Sequence, residues 1–492
     1  FVYNAITIVQ EFVKEYLMAL KIHNTLTKLV DEVCPGGEKK SSIEEYPPIT
    51  IYSCGPTVYN FAHIGNFRYF VFNDLLRRYL LFRGFKVNQA MNITDVDDKT
   101  INGATQEGIT LREYTDRYAQ AFYEDLETLN IEKVEHNPRA TDSIDDMVDI
   151  IHHLKEKNLI YDRDESIYFS ISKYENYGKL SNVDKREIKS GLRYDTDEYE
   201  KDDIRDFALW KGPKENEISW DTPFGKGRPG WHIECSAMIR KIFGTTIDIH
   251  TGGVDLIFPH HENEIAQSEA AYDEQFVRHW IHVEHLLVDN TKMSKSNGNL
   301  YTLRDLLKMN YSPRAIRYLL LSVYYRKQLN FTFEGLKQAE QSLERIDNLL
   351  LRLTDISGEQ DNNAALPERI EKLFNEFIGA MDDDLNISKA LGAFFEFIHD
   401  INNLITENTL SKTDALTIHE SLIRLDSVLG CIFFPSDDSD IDTERIESLI
   451  NERIASKKSK NFARADEIRD LLLNEGIILE DTKDGTRWKK KK

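Results

Sequence analysis

Residues 49–93 limit the fold more than any other stretch. Ile49-Thr50-Ile51-Tyr52-Ser53 reads as a short buried strand, and Gly55-Pro56 as the turn after it. From Gly65 to Arg83, Phe70, Leu75, Leu76, Tyr79 and Leu80 recur on one helical face, and Gly84 stops the helix. Lys86 to Ile93 then reads as the next strand. Strand, loop, helix, strand is the rhythm of a parallel sheet covered by helices, so the chain is expected to be α/β.

The rest of the chain is read as additions to that frame. Residues 1–44 form an N-terminal extension and lead-in, with Phe1 to Leu17 mildly apolar but carrying Glu11, Lys14 and Glu15. The first half of the sheet domain is placed at 45–120 and an insertion at 121–225. Residues 112–160 have helical spacing, with Tyr118, Phe122, Leu126 and Leu129 on an apolar stripe. Short β-like pieces such as Ser166-Ile167-Tyr168-Phe169 and a charged run, Tyr194 to Asp203, follow. The sheet domain resumes over 226–290, and Leu303 to Leu350 is again helical, within a region placed at 291–344. Ile370, Leu373, Phe374, Phe377 and Ile378 begin an amphipathic pattern that predicts an antiparallel helical bundle over 345–440. Pro435 and the acidic run Ser436 to Asp442 read as a linker. A small mixed unit over 441–492 closes the chain: helices from Thr443 and over Phe462 to Glu475, then a strand at Gly476 to Leu479.

Composition excludes some classes. Hydrophobic residues make up 41% of 492, enough for several cores, which argues against wholesale disorder. Four cysteines, at 34, 54, 235 and 431, make no disulfide framework and point to a reducing compartment. No apolar run reaches the roughly 18 residues of a membrane helix, and the first residues lack the pattern of a signal peptide. The net charge is −22, yet the segment from Glu452 carries 12 Lys/Arg against 8 Asp/Glu and ends Arg487-Trp488-Lys489-Lys490-Lys491-Lys492. Nucleic-acid binding depends on such local patches rather than on the total.

Two pieces suit phosphate chemistry. His63-Ile64-Gly65-Asn66 falls at the start of a helix, where free N–H groups and a partial positive charge attract anions. His63 and Asn66 add side-chain donors, and Gly65 leaves room for a ligand beside the backbone. Lys292-Met293-Ser294-Lys295-Ser296, followed by Asn297-Gly298-Asn299, reads as a loop whose two ammonium groups can neutralise a pyrophosphate leaving group. Either piece alone is a common surface feature. A third set is compatible with zinc: Cys54 after the first strand, Cys235, and His260 with Glu264 one helical turn apart behind Pro259.

Taken together and in this order, the two phosphate-handling pieces resemble the signature motifs of class I aminoacyl-tRNA synthetases. Five longer stretches narrow the resemblance to the cysteinyl-tRNA synthetase family. They are Cys54 to Tyr59, Asn92 to Lys99, Gly230 to Met238, Asp248 to His250 and Asp255 to Glu264. The resemblance covers most of the chain from about residue 21. It implies a Rossmann-like parallel-sheet catalytic domain with an inserted domain, an α-helical bundle and a small C-terminal unit. It implies a cysteine–tRNA ligase that joins L-cysteine to ATP, releases pyrophosphate and passes cysteine to the 3′ end of tRNA(Cys).

Carried over residue by residue, His63, Asn66, Lys292 and Lys295 are implied to be catalytic. Gly55, His63, Gly65, Asn66 and Lys295 are implied to bind ATP, which brings Mg²⁺. Thr94, Trp231, His250 and Asp255 are implied to line the amino-acid pocket. Cys54, Cys235, His260 and Glu264 are implied to hold one Zn²⁺. Zinc prefers a thiolate to a hydroxyl, which separates cysteine from serine without a separate editing domain. Asn66 stands where the family has histidine, so it is expected to contribute less charge. The bundle and the basic tail, with Arg487 and Trp488, are implied to contact tRNA. A monomer of the cytoplasm without membrane attachment is expected. The rival readings were a cysteine ligase for amino-sugar alcohols, a small nucleotidyltransferase and an inactive tRNA-binding paralogue. The bundle and tail disfavour the first two, and the intact lysines and zinc set disfavour the third.

Overall fold

In the computed structural model the chain is described over residues 20–182, 206–214, 217–294, 298–358, 360–435, 443–474, 477–482 and 485–490. Residues 1–17, the run Tyr194 to Asp203, Lys295 with Ser296, and the linker Ser436 to Asp442 lie outside the described residues. The described chain enters as an antiparallel hairpin, β1 (Lys21–Asn24) and β2 (Leu29–Glu32). Next come β3 (Ile49–Ser53), α1 (Ile64–Phe82) and β4 (Val87–Met91), the expected βαβ unit.

The insertion follows. Ahead of its expected start at 121 comes α2 (Asp98–Glu107), across that start runs α3 (Leu111–Thr128), and within it lies α4 (Ile144–Glu156). Beside them run β5 (Ile160–Arg163), β6 (Ser166–Phe169), β7 (Phe207–Lys211), β8 (Trp220–Thr222) and β9 (Gly225–Pro229), in the antiparallel order β5-β6-β7-β9-β8. The helical reading of 112–160 is corrected between α3 and α4. Asn130 turns with φ 53°, and 131–139 runs extended, with His136 bridging Ala90 and Arg139 bridging Ile93. The exposed edge of β4 wins these residues from a helix, because its unpaired backbone groups need partners.

The second half brings α5 (Trp231–Phe243), β10 (Ile247–Gly253), α6 (Glu262–Tyr272) and β11 (Val277–Val283). The central sheet has the order β11-β10-β3-β4, and all three pairings are parallel. β3 and β10 are neighbours, while β4 and β11 lie outside them on opposite sides. The strand order therefore reverses between β3 and β10, and a crevice opens at their carboxyl ends, where open α/β sheets bind ligands. Ile49, Ile51, Ile247 and Ile249 are fully buried along these two strands, as expected of a sheet covered on both faces.

Past the sheet, β12 (Leu286–Val288) pairs antiparallel with β13 (Thr291–Lys292) and parallel with β14 (Leu329–Phe331), between which lie α7 (Leu303–Lys308) and α8 (Pro313–Ser322). β14 corrects the continuous helical reading of Leu303 to Leu350: Leu329 and Phe331 are buried at alternate positions beside β12. The bundle consists of α9 (Phe333–Thr354), α10 (Leu366–Asp382), α11 (Ile387–Thr406) and α12 (Lys412–Leu429). The boundary drawn at 344/345 falls inside α9. One buried apolar cluster runs from α1 through α8 into all four bundle helices.

Residues 434–492 form a second compact unit. It contains α13 (Thr443–Lys458), α14 (Phe462–Asn474) and the hairpin β15 (Ile477–Thr482) with β16 (Gly485–Lys490), around a core of Ile446, Ile450, Ile468, Leu472, Ile477 and Leu479.

Candidate active site

Cys54 directly follows β3, and its neighbour Gly55 lies against β4. A side chain at Gly55 would overlap the Asn92 carbonyl, so the close approach admits only glycine. The Gly55 N–H donates to Asn92 Oδ1 at 2.8 Å, and Asn92 Nδ2 donates to Thr94 Oγ1 at 3.1 Å. Thr94 is thereby fixed at the carboxyl end of β4, level with Thr57.

Ten residues after Cys54, α1 begins at Ile64. His63 is its N-cap: the Asn66 N–H donates to His63 Nδ1 at 3.2 Å, and the His63 N–H donates to Asn66 Oδ1 at 3.1 Å. Such a reciprocal cap satisfies two N–H groups that a helix start leaves free. The exchange explains how Asn66 serves here: its side-chain oxygen caps the helix, and its NH₂ remains as a donor. Burial lowers the His63 pKa, with Asp255 acting against it. A neutral His63 that accepts at Nδ1 must carry its proton on Nε2, so it presents an N–H donor. Met293 Cε lies 2.8 Å from where a Gly65 Cβ would stand, so the lysine loop packs onto the first turn of α1. Lys292 is exposed on β13. The backbone on the far side of the loop returns to the same turn, where the Ile64 N–H donates to the Tyr301 oxygen at 2.9 Å and His63 bridges Thr302.

The donor set lies at the crevice between β3 and β10. His260 and His261 belong to a distorted turn, 257–261, that precedes α6. The helix therefore starts at Glu262 rather than at Pro259, because Phe258 is extended. Glu264 still meets His260, with Oε1 2.9 Å from Nε2. Cys54 Sγ is 3.3 Å from His261 Nε2. The ligand atoms of Cys54, His260, His261 and Glu264 all lie within 4.8 Å of one another and are buried. Cys235, buried on α5, interacts with Cys54 and His260. The structure thus brings together three of the four implied zinc ligands, Cys54, His260 and Glu264, with His261, which the sequence reading did not assign, in the fourth place, while Cys235 interacts with two of them from α5. A tetrahedral zinc site places its ligand atoms roughly 3.3–3.8 Å apart, comparable to these spacings.

The charges also suit a cation. The Cys54 S–H and His260 hold the Cys235 thiol below its ordinary pKa, while burial pushes Cys54 up. Burial opposes ionisation of Glu264, but His250 and His260 outweigh it and hold the carboxyl low. Burial likewise opposes protonation of His260, and Glu264 and Cys235 reverse that, raising it to about 10. Glu264 Oε1 is a fully buried oxygen without a hydrogen bond of proper geometry. A thiolate, a carboxylate with a spare oxygen and an imidazole held between them fit a zinc ion.

A second ring of residues orients these donors. His232 Nδ1 meets His260 Nδ1 at 3.0 Å, and His250 Nε2 meets Glu264 Oε2 at 3.0 Å. His261 Nδ1 meets His282 Nε2 at 2.8 Å, and His282 Nδ1 meets Thr25 Oγ1 at 2.8 Å. Burial drives His261 well down and His282 to about 3, so both stay neutral. His250 is fully buried and stacked 4.6 Å from Trp280, so it sits beneath Glu264 rather than at an open wall. Trp231 is 38% exposed and stacks on His260 at 4.4 Å, which makes it a lid over the donors rather than core packing. Asp255 is exposed and close enough to act on both His63 and Cys54. The period-2 pattern of β11 is the signal that would have found Trp280 and His282, which point to one side of the strand.

A parallel sheet with a crevice at its switch point, a helix-start histidine beside it and Met293 packed onto the same helix start match a class I synthetase fold. Residues 41–341 match the family described as tRNA synthetases class I (C) catalytic domain, and 376–434 match the DALR domain. The cysteine–tRNA ligase of Leptospira interrogans serogroup Icterohaemorrhagiae serovar Lai is 52% identical over 93% of this chain and 98% of its own. That of Brachyspira hyodysenteriae is 49% identical over 90% and 95%. Among solved structures, methionyl-tRNA synthetase of Mycobacterium tuberculosis superposes with a TM-score of 0.57 at 14% identity, covering 78% of this chain and 90% of that one. A leucyl-tRNA synthetase complex from Agrobacterium radiobacter K84 gives 0.59 at 12%, covering 80% and 85%. The chain belongs to the cysteine–tRNA ligase family of class I aminoacyl-tRNA synthetases.

Proposed function

We propose that this ligase selects its amino acid with one Zn²⁺ held by Cys54, Cys235, His260 and Glu264. The observation that carries the reading is the buried meeting of thiol, imidazole and carboxylate at the sheet's switch point, one loop from the capped start of α1. Zinc bound there would favour a thiol over the hydroxyl of serine, because it is a borderline-soft ion. His261, His232, His250 and His282 orient the ligands from behind. Trp231 and Thr94 wall the side-chain pocket, His250 supports it from below, and Asp255 offers its carboxylate to the substrate ammonium group.

ATP lies across the start of α1, beside Gly55 and Gly65, whose missing side chains let Asn92 and Met293, respectively, close in. The cysteine carboxylate attacks the α-phosphorus, a new P–O bond forms, and the bond to the pyrophosphate oxygen breaks. The His63 Nε2–H and the Asn66 amide donate to phosphate oxygens, while Lys292, Lys295 and Mg²⁺ offset charge on the departing pyrophosphate. In the second step a ribose hydroxyl of the terminal adenosine of tRNA(Cys) attacks the adenylate carbonyl, and AMP leaves. The bundle and the C-terminal unit hold the far end of the tRNA. The reading extends to a monomer of the cytoplasm; among the described residues no helix is long and apolar enough to cross a membrane.

Isotope exchange between pyrophosphate and ATP tests this directly. Cysteine should support it, and serine should be slower by at least about 10³-fold, beyond the roughly 10²-fold a hydrophobic pocket manages against an added hydroxyl. Exchange that is equal with both amino acids would overturn the zinc reading.

A further inference from the structure

Arg68 lies on α1, five residues after His63, and is 2% exposed. A buried guanidinium usually meets a carboxylate. Here the donors go to main-chain oxygens: Nε to Glu284 at 3.2 Å, Nη1 to Leu320 at 3.5 Å, and Nη2 to Tyr324 at 3.3 Å and Lys327 at 2.6 Å. Burial lowers its pKa to about 10, which still leaves it charged at neutral pH.

Leu320 belongs to α8, and the other three acceptors have one thing in common. Glu284 ends two residues before β12, and Tyr324 and Lys327 lie just before β14. The Glu284 N–H donates to the Tyr325 oxygen at 2.9 Å, and the Leu329 N–H to the His285 oxygen at 3.3 Å, so these are the joined roots of one small sheet. That sheet leads through the turn at Asp289 and Asn290 into β13, which carries Lys292. One turn along α1, Phe72 stacks on Tyr325 with centroids 4.6 Å apart. On its other side the lysine loop is tied to α1 by Ile64 and His63. The segment bearing Lys292 and Met293 is thus fastened at both ends to the first two turns of α1.

We propose that Arg68 is a positioning residue for adenylate formation, fixing the sheet that carries Lys292 against the helix that begins at His63. The inference rests on the ligase reading above. A guanidinium suits the task, since its rigid fork can serve several carbonyls at fixed angles while a lysine ammonium is a single point. An error of about 1 Å in such a geometry can cost 10²-fold in rate. Cys54, Trp231 and Asp255 are held by other elements, so capture of the amino acid should not depend on Arg68.

The test is Arg68→Lys in the full chain, which keeps charge and volume but offers one donor point. Cysteine-dependent pyrophosphate exchange is measured per active site, beside the melting temperature. We expect kcat to fall at least about tenfold, with KM for cysteine within about twofold and melting within about 4 °C of the parent. A kcat within twofold of the parent in the folded variant overturns the proposal, as does a loss that disappears once rates are normalised to titrated active sites. If Arg68→Lys fails to fold, Arg68→Gln is read by the same criteria. Failure of both to fold also overturns the proposal, since Arg68 would then act only as a core residue. Absent exchange in the parent protein would instead refute the ligase reading.

Discussion

At the residue scale, the chemistry was legible where it depends on residue type and sequence spacing. Cys54, Cys235, His260 and Glu264 are residue types that suit a metal, and His260 and Glu264 are spaced four apart and meet at 2.9 Å, although His260 lies just before the helix. His261 was harder to read. It adjoins His260 in the sequence, and only the distorted turn 257–261 swings it toward Cys54, at 3.3 Å. His261 therefore competes with Cys235 for the fourth place in the geometry, and metal affinity decides between them. Cys235→Ala removes a thiolate and should lose zinc to a chelator that the parent resists. His261→Ala should weaken zinc by about 10–100-fold, the usual cost of removing an orienting partner. Competition titration reads both, and a Cys235→Ala protein with parental affinity would move the fourth ligand to His261.

At the element scale, α1 was legible from its apolar stripe, but its polar residues were not. Asn73, Asp74 and Arg78 are buried, against the expectation for charged and polar side chains. Asp74 accepts from Arg78 Nε at 2.7 Å and from the Glu132 N–H at 2.9 Å, and it pairs with Arg317 of α8. Arg317 also donates to the Leu129 oxygen at 3.0 Å and, through Nε, to the Leu429 oxygen at 3.0 Å. A buried carboxylate shared by two arginines thus ties α1, the strip after α3 and the end of α12. Such a knot joins segments remote in sequence, so no local pattern announces it, and the strip itself was misread as helix for that reason. Arg317→Met leaves the Asp74 carboxylate buried with less compensation, which should cost about 3–5 kcal/mol. Urea denaturation measures that loss. Replacing all three charges, as Asp74→Leu with Arg78→Met and Arg317→Met, should recover part of it, because removing a buried set is cheaper than breaking it.

At the scale of the molecule, the division of the chain differs from a reading by sequence blocks. The bundle looks separable on paper, yet Asp382 of α10 receives Tyr79 at 2.6 Å and pairs with Arg83, both at the end of α1. Asp384 accepts from Tyr325 at 2.6 Å and from the His23 N–H at 2.8 Å. A cut near 345 would split α9 and open the shared apolar cluster, so lost charging would reflect lost folding. The separable part is 434–492, which has a core of its own, with Arg453 Nη1 paired to Asp481 at 2.7 Å. A chain ending at Pro435 should keep cysteine-dependent pyrophosphate exchange within about twofold, because the site, α1 and Arg68 all lie before the cut. Its kcat/KM for tRNA charging should drop at least about tenfold, or 1.4 kcal/mol of binding. The removed residues are close to neutral as a whole, 13 Lys/Arg against 14 Asp/Glu, but the basic run Arg487 to Lys492 goes with them, so the salt dependence of KM for tRNA should become shallower, as lost phosphate contacts require. Equal charging and an equal salt slope for the two chains would separate this unit from tRNA altogether.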